Sequence, residues 1–72
     1  MSKIYLLAVN WGKIESVPKQ ERAFWVKTYD APAGTDIAGF TTYFPVKEWR
    51  VYAFTIKQER QKLINNILNK ED

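Results

Sequence analysis

The sequence predicts an α+β fold, in which a small, mostly antiparallel β-sheet of three to four strands carries one C-terminal α-helix packed on one face. Three observations lead there. Residues 4–11 are apolar on both alternations, as in a strand lying inside a sheet. Residues 22–54 hold further short runs of aromatic and β-branched residues, separated by proline and glycine turn signals. Residues 55–70 instead place Ile56, Leu63, Ile64, Ile67 and Leu68 at spacings of three, four and seven, which gathers them on one stripe of a helix. At 72 residues the chain is expected to form a single domain over residues 1–72. A domain that small buries only about 60% of the surface its unfolded chain exposes. Three tryptophans, four tyrosines and four phenylalanines are expected to supply the core that short length denies.

In chain order, the first strand takes Ile4, Leu6 and Ala8 on one side and Tyr5, Leu7, Val9 and Trp11 on the other, and is placed centrally. Asn10-Trp11-Gly12-Lys13 ends it. Residues 14–21 have one proline, mixed charge and no periodicity, so they read as an exposed, mobile connection. A second strand over residues 22–30 puts Phe24, Val26 and Thr28 on the core side and Trp25, Lys27 and Tyr29 on the other. Ala31-Pro32-Ala33-Gly34 is turn chemistry: Pro32 presets its own φ and Gly34 is free to take a positive one. A third strand over residues 37–44 follows as a hairpin neighbour, with Gly39 marking a bulge or a close backbone approach. Pro45 closes that strand, or else opens a short helix over residues 46–49; a fourth strand near residues 49–54 completes the sheet.

Thr55 followed three residues later by Gln58 has the form of a capping box, so the helix is expected to begin there. Arg60 falls inside its apolar stripe, where an unpaired guanidinium is costly. It is expected to reach past the sheet edge or to pair with a carboxylate such as Glu48; otherwise it marks a place the helix does not cover. The outer face, including Lys57, Glu59, Lys62, Asn65 and Asn69, mixes amides with both signs of charge and reads as solvated.

Composition narrows the chemistry. The chain has no cysteine, hence no disulfide framework and no thiolate metal site, and no histidine, the commonest general base and metal ligand. A cytoplasmic location is expected. The apolar run after Lys3 stops at Asn10 with no small-residue cleavage site, so a secretion signal is not expected. No run approaches the roughly 18 apolar residues of a membrane span, so no membrane association is expected. The only serines, Ser2 and Ser16, have no histidine to activate them, and there is no Gly-rich phosphate loop or metal-ligand spacing. The chain therefore reads as non-enzymatic, with no cofactor and no metal. Asp30 and Asp36 bracket the Pro32–Gly34 turn and are the one carboxylate pair to consider for a shared proton or a cation; the plainer reading makes them turn formers.

Formal net charge is +3, a mild bias toward a polyanionic partner. Trp25, Lys27 and Tyr29 alternate on one side of the second strand, and Arg50 and Tyr52 share a side of the fourth. Aligned on one surface, they form the aromatic and cationic mixture of a single-stranded nucleic-acid platform, with bases on the rings and phosphates on Lys27 and Arg50. The competing structural reading has these rings cover the second face of a thin sheet. A third reading makes the aromatics a protein-binding patch, as in an inhibitor or adaptor that occupies a partner's surface. Trp11, Trp25 and Trp49 are then exposed anchors beside an unpaired sheet edge. The same edge or face offers so small a core a route to homodimerisation.

Overall fold

A computed structural model describes residues 2–36 and 48–70. They form an α+β fold: a three-stranded antiparallel sheet and a C-terminal helix. Strand β1 (Lys3–Val9) is followed by helix α1 (Trp11–Ser16), a 3-10 helix (Lys19–Trp25), strand β2 (Val26–Pro32), strand β3 (Arg50–Phe54) and helix α2 (Lys57–Asn69). Strand order is β2-β1-β3, so the strand that is apolar on both alternations is the central one. The expected third strand over residues 37–44, with Gly39 and Pro45, lies outside the described residues, as does most of the alternative helix over 46–49; Glu48 is in a turn and Trp49 is not helical.

Register decides the faces. Leu7 pairs with Thr28 on one side and Tyr52 on the other, while Leu6 pairs with Tyr29 and Ala53. Directly opposed residues of an antiparallel pair share a face, and neighbours along a strand do not. Leu7 and Val9 therefore point with Tyr52, Phe54 and Val26 toward α2, where they pack with Ile14, Ile67, Leu63 and Ile64. Leu6 points the other way with Ile4, Ala31 and Val51. Leu6 and Leu7 are both buried, which is why β1 is apolar on both faces from Ile4 onward.

Three expectations are corrected here. Residues 14–21 are not an irregular connection. Asn10 caps α1, its Oδ1 accepting from the Lys13 backbone N–H at 3.1 Å, and Ile14 is buried four residues later. The second strand begins at Val26 instead of Arg22, because residues 19–25 form the 3-10 helix. The assumed alternation fails only at Phe24 and Trp25: Phe24 is 69% exposed and Trp25 packs against the core, whereas from Val26 on it holds, with Val26 and Thr28 on the α2 side and Lys27 and Tyr29 on the other. β2 in turn extends through Pro32, and the turn proper is Pro32–Thr35, closed by Thr35 N–H to Pro32 O at 3.2 Å, with Gly34 at the expected positive φ of 87°.

The capping box does not form. Phe54 is still in the ladder opposite Tyr5, so Thr55 and Ile56 are spent in turning the chain, and α2 starts at Lys57 with no side-chain cap. Ile56, extended and half-exposed, drops out of the stripe, which then runs through Leu63, Ile64 and Ile67. The other end of α2 is capped from a distance. Arg22, 3% exposed, donates to Ile67 O at 3.0 Å and Lys70 O at 2.8 Å, satisfying carbonyls and placing a cation at the negative end of the helix.

Candidate functional site

The side chains with binding chemistry gather at one end of the sheet. Val9, the last residue of β1, pairs with Val26 and with Arg50. Trp25 precedes the one and Trp49 the other, so the register delivers both tryptophans to the end where Asn10 leaves β1. Their ring centroids are 6.2 Å apart at 40°. The Asn10 backbone N–H donates to Trp25 O at 3.0 Å, and α1 starts there, which brings Lys13 Nζ to 5.2 Å from the centroid of the Trp25 ring.

Trp11 and Arg50 join the same region through Tyr52. Trp11 Nε1 donates to the Tyr52 hydroxyl at 3.0 Å, and the Arg50 guanidinium lies 5.4 Å from the Tyr52 centroid. Tyr52 also stacks along Phe54, with centroids 6.5 Å apart, so its ring is engaged by the fold on both sides. Trp11, Trp25, Trp49 and Tyr52 are half-buried, and Lys13 and Arg50 are exposed. The tryptophans are thus partly covered anchors, not the fully exposed ones expected. Beside them lies an open cavity of about 420 Å3 lined, among the described residues, by Asn10, Gly12, Lys13, Ser16 and Glu48.

The expected platform is divided by the sheet. Lys27 pairs with Ala8 and Tyr29 with Leu6, whereas Arg50 pairs with Val9 and Tyr52 with Leu7. Lys27 and Tyr29 therefore point away from α2, and Arg50 and Tyr52 point toward its side. Of the seven residues singled out in the sequence, Trp11, Trp25, Trp49, Arg50 and Tyr52 come together, and Lys27 and Tyr29 do not. Lys13 is the member that sequence reasoning missed. Asn10, a preferred capping residue three positions before it, was the signal that a helix starts there and turns Lys13 back over the strand ends.

Arg60 and Asp30 form a separate polar site on the α2 face. Arg60 is buried and reaches Asp30 Oδ1 at 2.6 Å, with weaker approaches to Leu6 O and Tyr29 O at 3.4 Å, and its guanidinium lies 5.4 Å from the Tyr5 centroid. The expected pairing with a carboxylate is found, with Asp30 in place of Glu48. The hydrogen bond from Arg60 holds the Asp30 carboxyl below its ordinary pKa, partly offset by desolvation, with smaller electrostatic help from Arg60, Lys57 and Lys3. Asp30 is thereby tied to the helix. No cluster of three or more metal-ligating side chains occurs among the described residues.

No helix among the described residues is long and apolar enough to cross a membrane. Comparison with known protein families, with curated protein sequences and with solved structures gives no match.

Proposed function

We propose that this chain is a non-enzymatic, cytoplasmic binding protein that takes single-stranded nucleic acid at the aromatic and basic end of its sheet. The observation that carries the reading is the contact of Trp25 with Trp49 and Lys13, with the exposed Arg50 at the same end of the sheet. Half-exposed rings offer stacking surface to bases, and neighbouring cations offer charge to phosphates, which is the recurring composition of single-strand sites. The net charge of +3 points the same way. Lack of histidine and cysteine, together with the engagement of Asp30 by Arg60, supports a binding role over a catalytic one. Lack of cysteine also suits a reducing compartment. The test is fluorescence anisotropy of a labelled mixed-sequence oligonucleotide: saturable binding that weakens as salt rises is expected, and no affinity at low ionic strength rejects the reading.

A second reading rests on a different observation. Phe24 and Tyr29 remain 69% and 51% exposed, which suits a protein-binding patch or a homodimer contact. Sedimentation of the wild type against Phe24→Ser separates these: a dimer lost on substitution supports the contact, and a monomer throughout removes homodimerisation.

A further inference from the structure

We infer that Lys13 is a built-in competitor for the Trp25 ring, a placeholder that an arriving base displaces and that then turns to the phosphate, an inference that rests on the single-strand reading above. The Lys13 ammonium lies over the Trp25 ring, 5.2 Å from its centroid. Trp25 is half-buried and packs against the core, so only the side of the ring away from the core is open to a ligand. Lys13 is exposed, and an exposed cation over a ring that backs onto the core lies on that open side. Trp49 meets the ring tilted at 40° and does not lie flat on it. The face a base needs for stacking is therefore the face that Lys13 covers.

Displacement costs little. The cation–π contact of an exposed ammonium is worth roughly two- to fivefold in an equilibrium constant, and a stacked base contributes about five- to a hundredfold. The backbone of Lys13 stays fixed meanwhile, because its N–H is held by Asn10 Oδ1 at 3.1 Å and Ile14 is buried next to it. Only the flexible side-chain stem has to swing, carrying the ammonium from the ring to the phosphate of the arriving nucleotide. Arg50 also lies over a ring, 5.4 Å from the Tyr52 centroid. Tyr52, however, accepts from Trp11 and stacks along Phe54, so that ring belongs to the fold and Arg50 blocks no base. Arg50 adds charge alone, whereas Lys13 both attracts the strand and masks its platform.

The experiment separates the two effects of Lys13 by backbone charge. A short labelled thymidine strand is compared with its uncharged methylphosphonate counterpart, by anisotropy at fixed low salt. The proteins are wild type, Lys13→Ala and Lys62→Ala, the last an exposed lysine of α2 outside the site. Lys13→Ala is expected to weaken binding of the phosphodiester strand and to tighten the methylphosphonate strand roughly two- to fivefold, because the second loses no phosphate contact and gains an uncovered ring. Lys62→Ala leaves the methylphosphonate strand at wild-type affinity. Methylphosphonate binding that is unchanged or weakened by Lys13→Ala, or tightened equally by Lys62→Ala, overturns the placeholder. Should that strand bind too weakly to rank, nuclear Overhauser contacts between the Lys13 side chain and the Trp25 ring decide. Their loss on saturation with the phosphodiester strand is expected, and their persistence overturns the placeholder while leaving single-strand binding in place. Absence of salt-sensitive binding of the phosphodiester strand to wild type is the distinct result that overturns both.

Discussion

Lys13 Nζ lies 5.2 Å from the centroid of the Trp25 ring, which joins a cation at the start of α1 to an aromatic ring at the entry to β2. The contact follows from two local rules. Asn10 starts a helix the moment β1 ends, and the pairing of Val9 with Val26 sets Trp25 beside that helix start. Arg50, the other partner of Val9, brings a second exposed cation to the same end.

If these two cations meet phosphates, each contributes to the salt dependence of binding. Lys13→Gln and Arg50→Gln are each expected to reduce the slope of log affinity against log salt by roughly 0.7, and the pair by about twice that. The measurement is an anisotropy titration across a salt series. An unchanged slope in the double variant would move the phosphate contacts elsewhere.

Trp49 precedes β3 and is half-buried, its ring 6.2 Å from that of Trp25. Trp49→Ala is expected to weaken oligonucleotide binding by about 1–3 kcal/mol, the usual contribution of one stacked base. Circular dichroism reports whether the fold persists in the variant, and calorimetric titration reports the affinity.

The Arg60–Asp30 pair predicts a pH signature. Asp30 has a folded-state pKa below its unfolded value, so its contribution to stability is present above the unfolded value and is lost as pH falls through the lower, folded one. Urea unfolding of wild type and Asp30→Asn between pH 7 and pH 2 tests this. The difference between them is expected to be constant above about pH 5 and to shrink below about pH 4. A difference that grows on acidification contradicts the assignment.

Arg22 links the 3-10 helix to the last carbonyls of α2 across 45 residues of sequence. Arg22→Gln is expected to cost about 1–3 kcal/mol, because it removes charge-assisted bonds from buried acceptors. Hydrogen exchange should accelerate first in the final turn of α2. Uniform acceleration along the helix would show that the contact holds the whole helix and not its end.

Much of this architecture was legible from particular residues. The double alternation of residues 4–9 announced a central strand, Gly34 announced a turn needing positive φ, and the spacing of Leu63, Ile64 and Ile67 announced the helix face. What was not legible depended on distant partners. Alternation placed Lys27 and Tyr29 together and Arg50 and Tyr52 together, but whether the two pairs share a face is set by the residues of β1 they oppose. A single step of register put them on opposite sides. Arg22 was read as a strand residue because its role, closing a helix that ends at Asn69, has no local mark. Phe24 showed the opposite failure: a large apolar side chain in an apparent strand proved to be exposed on a 3-10 helix.

The most direct test of the central claim uses the protein's own tryptophans, because Trp11, Trp25 and Trp49 all lie in the proposed site or one hydrogen bond from it. Intrinsic fluorescence is titrated with a short single-stranded oligonucleotide at low and then moderate salt. The account predicts saturable quenching that weakens steeply as salt rises. Emission that stays unchanged while the oligonucleotide is in excess at low salt would contradict it.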